Sequence, residues 1–223
     1  MRSPITSISA ACLASALLAC GILLSSASLA RAVPIVLTFE GIPATSAFAA
    51  GTSIPLAAQL STLYQSSYGV TFSSMQPYVP VVPLNDTAPS GVNGIGMSDA
   101  NGLVSYSTFI NAIFTVPGNP FAPATTNFVS VQADLFSTNP DGILTLTAYD
   151  QFGSVIGTDQ QHEAPGVVLS LSIPGIHGVQ ITGDGSTAFD NFTFNSTQLI
   201  PEPAGLVLMT LGGIAAMIRR LTR

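Results

Sequence analysis

The chain has 223 residues, room for one ordinary domain and its processing segments. Its basic residues are Arg2, Arg31, Arg219, Arg220 and Arg223 and lysine is absent, so no basic side chain lies between Val33 and Ile200, where every acid but Glu202 is found. That middle offers no Lys or Arg to nucleic-acid phosphates and no cationic clamp for phosphoryl transfer.

In chain order, the N-terminus reads as a secretory signal. Arg2 gives a minimal positive start, Leu13–Leu24 is an apolar core, and small residues follow with A-x-A-like sites at Ala30-Arg31-Ala32 and Ser28-Leu29-Ala30. Cleavage after Ala32 puts the mature start near Val33. Leu17-Leu18-Ala19-Cys20-Gly21 resembles a lipobox that would lipidate Cys20, but Ile22-Leu23-Leu24 carries the apolar core past that cysteine. Because Cys12 and Cys20 both lie in this segment, its removal leaves a chain with no thiol and no disulfide.

From Val33 onward, short β-prone runs alternate with Gly, Pro, Asn and Asp breakers. The predicted strands are Ile35–Phe39, Val70–Ser74, Ile110–Val116, Asn127–Phe136, Ile143–Tyr149, Val167–Ile173, Val179–Thr182 and Ala188–Phe194. Val129, Val131, Ala133 and Leu135 would share one face, with Ser130, Gln132 and Asp134 on the other. Ala188–Phe194 is mixed, its apolar positions fitting no single alternation. Asn139–Gly142, Asp150–Gly153 and Gly183–Ser186 supply turn chemistry. The single predicted helix is Leu56–Tyr64. This pattern predicts an all-β, antiparallel β-sandwich of jelly-roll, galactose-binding-like type over 33–198, between a signal peptide at 1–32 and a sorting or anchor segment at 199–223.

The C-terminus runs Pro201-Glu202-Pro203, then Ala204–Ile218 without a charge, then Arg219, Arg220 and Arg223. A helix of that length covers ~22 Å, short of the ~30 Å hydrocarbon core. Such a short transmembrane helix is a marginal permanent anchor. The arginines would stay on the cytoplasmic side, leaving the domain outside. On these grounds a plain tail anchor and a temporary hold both stand.

Those residues, in that order, resemble the PEP-CTERM sorting signal, complete apart from Thr210 within the apolar run. Proteins of that family are exported by Gram-negative bacteria, processed at the PEP site by the membrane protease exosortase, and often linked to exopolysaccharide and biofilm matrix. The resemblance implies the inner membrane and an exosortase-type protease as transient partners, and a destination at the cell surface or outside the cell. The same tail is also labelled an ice-binding-protein C-terminal motif. Leu37–Pro43 (LTFEGIP), Tyr68–Ser74 (YGVTFSS) and Ala188–Asn195 (AFDNFTFN) resemble the β-sandwich domains that commonly precede such tails, which look like carbohydrate-binding modules.

Chemistry has few candidates. In sandwiches of the carbohydrate-binding kind the first and last strands often lie side by side and hold a structural calcium; Glu40, Asp190 and Asn191 are the matching residues here. The alternative reading is that they cap turns. A glycosidase would need paired carboxylates, yet most acids fall in turn contexts such as Asp99-Ala100-Asn101-Gly102. His162-Glu163 and His177 lack a third ligand for zinc. Tyr64, Tyr68, Tyr78, Tyr106 and Tyr149 are the candidate sugar platforms, since the phenylalanines are expected in the core and tryptophan is absent. Thr145 and Thr147 alone are too few for the flat threonine array of an ice binder. The expected function is therefore a non-enzymatic, exported surface or matrix protein with a structural or adhesive role. A calcium-dependent carbohydrate-binding module, an ice-binding protein and a secreted glycoside hydrolase stand as alternatives.

Overall fold

The computed structural model describes residues 33–84, 90–135, 142–164, 166–183 and 186–200. The signal segment, the tail residues Pro201, Glu202, Pro203, Arg219, Arg220 and Arg223, and parts of the 139–142 and 183–186 turns lie outside the described residues. Strands in chain order are β1 (Pro34–Leu37), β2 (Val70–Ser73), β3 (Val81–Pro83), β4 (Asn93–Ile95), β5 (Met97–Ser98), β6 (Val104–Ser105), β7 (Ile110–Val116) and β8 (Asn119–Thr125). They continue as β9 (Val129–Leu135), β10 (Ile143–Tyr149), β11 (Val155–His162), β12 (Val168–Leu171), β13 (Gly178–Thr182), β14 (Thr187–Asn195) and β15 (Gln198–Leu199).

All pairings are antiparallel and form two main sheets. The first has the order β12-β9-β14-β4-β3, with β1 also on β14. The second runs β11-β10-β13-β7-β8-β15, with β2 also on β7, and β5 and β6 pair separately. The first strand, β1, and the last long strand, β14, are neighbours, as the resemblance to carbohydrate-binding sandwiches implies.

Alternation builds the core. In β10 Leu144, Leu146 and Ala148 are buried while Thr145, Thr147 and Tyr149 are half-buried on the other face. Val129, Val131 and Ala133 of β9 are likewise buried in the same core. The sheets meet through aromatics: Phe72 of β2 lies 5.2 Å from Phe192 of β14, and Phe114 of β7 5.2 Å from Phe194.

The mixed pattern of β14 has a physical explanation. Phe189 and Phe192 are three residues apart and would face opposite ways in a regular strand. Instead the register against β9 slips by one residue between Asp190 and Thr193. Asn191 takes a left-handed φ of 49° at this bulge, and Phe189, Phe192 and Phe194 all reach the core. Asn191 is suited to that backbone because Asn visits it more readily than branched residues.

The helix predicted over Leu56–Tyr64 is corrected. Leu56–Ala58 is one 3-10 turn, and the only α-helix among the described residues is the single turn α1 (Gln65–Tyr68), ended by Gly69 at φ 69°. The intervening backbone is captured by other segments: the Leu60 amide donates to the Val79 carbonyl at 2.9 Å, and Gln59 bridges Pro80. The proline-bearing β8 and the polar β11 escape prediction because neither has a regularly buried face: β11 is the edge of its sheet, and β8 is bordered on its outer side only by the two-residue β15. Leu199 pairs with Ala124, so the sandwich extends one residue past 198.

A second cluster, Ile54, Ala58, Val82, Val104 and Ala188 with Phe48, Tyr78, Leu84 and Tyr106 against it, lies behind the first sheet. Ala188 neighbours the core-facing Phe189 and so points the other way. The segments before β2 and around β5–β6 thus cover that part of the first sheet's outer face, while the outer face of the second keeps its half-buried and exposed side chains.

Candidate functional site

On the outer face of the second sheet, strand register sets out two rows. Thr158, Thr147, Gln180 and Asn111 form one; Tyr149, Gly178, Ile113 and Thr71 form the next. Gln180 Nε2 donates to Asn111 Oδ1 at 3.1 Å, and Gln160 Nε2 to Thr145 Oγ1 at 3.4 Å. The face is therefore amide- and hydroxyl-rich. Gly178 puts no side chain between Tyr149 and Ile113, and there a cavity of about 300 Å³ opens. Asn111, Ile113, Tyr149, Asp150 and His177 contribute to its walls. That volume is at the lower end of small-molecule sites.

The rim is held stiffly. Asp150 Oδ1 accepts the backbone amides of Phe152 at 2.8 Å and Ser154 at 2.9 Å, fixing the turn that carries Gln151 and Gly153 to the cavity. Phe152, between them, is 80% exposed. His177 Nδ1 lies 2.8 Å from the Ala124 carbonyl. A carbonyl only accepts, so Nδ1 carries the proton and Nε2 of the neutral ring is left as an acceptor.

The other predicted site is brought together in space. Glu40 Oε1 accepts the amides of Val92 at 2.9 Å and Asn93 at 3.0 Å. Asp190 Oδ2 accepts the Ser90 amide at 3.0 Å and its hydroxyl at 2.6 Å, and Oδ1 accepts the Asn191 amide at 2.6 Å. Asn93 Nδ2 donates to the carbonyls of Ile42 at 2.9 Å and Phe39 at 3.4 Å. Burial pushes the Asp190 carboxyl above its ordinary range and the nearby Glu40 charge adds to the rise; the Ser90 and Asn191 hydrogen bonds oppose it.

These residues do not fit calcium. Three carboxylate oxygens of the pair face N–H and O–H donors, and Asn191 spends its amide on Gln132 Oε1 at 3.2 Å. The Asn93 amide already bridges carbonyls that a cation would otherwise bridge. No group of three or more His, Cys, Asp or Glu suited to a metal occurs among the described residues. The pair is a hydrogen-bonded latch on the 90–93 segment.

The remaining candidates are dispersed. His162 is exposed while the adjacent Glu163 is buried and accepts the Thr187 hydroxyl at 3.2 Å. Of the tyrosines, Tyr64 packs beside Phe39 and Phe72, and Tyr78 and Tyr106 pack in the second cluster. Tyr68 and Tyr149 remain as open platforms. Among the described residues, the expectation that phenylalanines are core residues fails most plainly at Phe121, 94% exposed on β8, and at Phe152 on the turn described above. Neither lies within an alternating strand pattern, so the sequence gives no face to assign them to.

The described residues form an antiparallel β-sandwich whose second sheet presents an amide- and hydroxyl-rich outer face, with Asp150 in the wall of its cavity. No family model and no curated protein matches the chain. Among solved structures it is similar to a DUF4465 family protein from Bacteroides caccae, at 13% identity and a TM-score of 0.42, covering 74% of this chain and 99% of that one. It is also similar to the K2 cleaved adhesin domain of Lys-gingipain, at 12% identity and a TM-score of 0.39, covering 73% and 97%. A third is the C-terminal family 22 carbohydrate-binding module of Clostridium thermocellum Xyn10B, at 15% identity and a TM-score of 0.34, covering 58% and 88%.

Proposed function

We propose that the chain is exported, carries its jelly-roll domain to the cell surface or matrix, and contacts polysaccharide there without catalysis. One observation carries the non-catalytic part. Acids along the domain accept hydrogen bonds from the chain's own groups, among them Glu40, Asp99, Asp150, Asp159, Glu163 and Asp190. Asp159 Oδ2, for instance, takes the Ser170 amide at 2.7 Å and ties β11 to β12 across the two sheets. Acids engaged in holding turns and edges are poorly placed to exchange protons with a substrate.

The adjacency of β1 and β14 supports the jelly-roll reading. The PEP-like tail supports transient retention at the inner membrane and release by an exosortase-type protease. Purified full-length protein incubated with polysaccharides is expected to retain them on affinity gels and to release no new reducing ends. Hydrolysis lost on changing one carboxylate would overturn the reading. Mass spectrometry of the mature protein is expected to show loss of everything after Pro201–Pro203, whereas an intact Arg223 supports a lasting anchor.

A further inference from the structure

We infer that the cavity over Gly178, together with Phe152 on the turn beside it, is the polysaccharide site and that its ligand is an uncharged pyranose chain. This rests on the reading of the domain as a polysaccharide-contacting one, and specifies where and which.

The cavity offers both halves of sugar recognition. Tyr149 and Ile113 give apolar walls for the C–H face of a ring, and Ile113 is 44% exposed with no side chain from Gly178 beside it. Asn111 lines the same space, with the amide of Gln180 bonded to it. His177 keeps Nε2 as an acceptor because Nδ1 is committed to Ala124. Hydroxyls need such neutral donors and acceptors, few and fixed in place.

Phe152 stands on the turn between the wall residues Gln151 and Gly153. A phenyl ring 80% exposed costs solvation unless a ligand covers it, and the Asp150 hydrogen bonds set its turn before anything binds. A second ring of the chain, leaving the cavity past Gln151 and Gly153, meets this residue. The site therefore suits a linear polymer better than a free monosaccharide.

Charge selects among polymers. From Val33 to Ile200 there is no Lys or Arg, and every fixed side-chain charge is negative. Asp150 stands in the cavity wall itself. Uronates, sulfates and phosphates would meet repulsion and find no cation, while neutral hexose or pentose polymers meet neither obstacle.

The test uses purified full-length protein, affinity electrophoresis and two probe groups: neutral glucomannan and mixed-linkage β-glucan, and anionic alginate. Neutral polymers are expected to retard the protein, with little change on adding salt; alginate is expected to leave it free. Phe152→Ala, which removes an exposed side chain, and Gly178→Leu, which fills the cavity, are each expected to weaken retardation at least tenfold. Phe152→Ala is expected to melt as the parent does, so the test survives if Gly178→Leu does not fold. Undiminished binding by Phe152→Ala and Gly178→Leu overturns this site but leaves the wider function standing. Preference for alginate overturns the neutral-ligand assignment, and retention of no polysaccharide overturns both.

Discussion

Glu40 and Asp190, 150 residues apart in sequence, close on the same four-residue segment: Glu40 holds the amides of Val92 and Asn93, and Asp190 holds the amide and hydroxyl of Ser90. Glu40 lies in the turn just after β1 and Asp190 at the bulge of β14, and the pairing of those strands brings them close. Asp190→Ala strands three part-buried donors and is expected to cost about 1–3 kcal/mol. Chemical denaturation reads this directly.

Asp190 and Asp99 give opposite pH signatures. Asp190 is raised above its ordinary 3.8, so the native state binds that proton more tightly than the unfolded chain does. Its contribution to stability therefore falls as pH climbs from 3.8 through the raised value. Asp99 is lowered, first by the Leu103 amide, so its contribution is present above 3.8 and fades as pH falls through the lower value. Melting of Asp190→Asn and Asp99→Asn against the parent between acid and neutral pH checks both signs: the parent's advantage over Asp190→Asn shrinks with rising pH, and its advantage over Asp99→Asn grows.

Calcium is expected to leave the melting temperature unchanged relative to chelator, because the Glu40 and Asp190 oxygens already face hydrogen-bond donors. A calcium-dependent rise that disappears in Asp190→Ala would restore the metal site.

Asn191 holds the bulge at φ 49°. Asn191→Val forces a branched side chain into that region and is expected to cost roughly 1–3 kcal/mol. Asn191→Gly relieves the backbone and loses only the contact with Gln132, so it should lie much closer to the parent. Equal losses for both would show that the backbone angle is unimportant.

Core aromatics and exposed ones should separate cleanly. Phe192 is fully buried between the sheets, and Phe192→Ala is expected to cost about 3–5 kcal/mol. Phe121, at 94% exposure, is expected to change stability by less than about 0.5 kcal/mol when replaced by Ser.

Strands with one buried face were legible. Ile110–Val116 and Ile143–Tyr149 fall where alternation places them, because a half-buried strand must repeat every two residues. The outlying strands β8 and β11 were not, since both have little buried face to write into sequence. The nine-residue stretch Leu56–Tyr64 looked helical only because nothing local announces that Val79 and Pro80 will take its backbone hydrogen bonds. For the cavity, Tyr149 was visible as a candidate. Gly178 was not, because a glycine becomes an opening only when register sets it between Tyr149 and Ile113.

By itself the sequence determined that this is an antiparallel, cation-free β domain between two apolar ends, because charge and alternation are properties of the string of residues. Tertiary structure alone decided that Glu40 and Asp190 share a segment, that one extra residue at Asn191 turns three phenylalanines inward, and that the segments before β2 and around β5–β6 cover part of the first sheet. Each depends on strands distant in the chain being set in register, and register is chosen by the whole core at once.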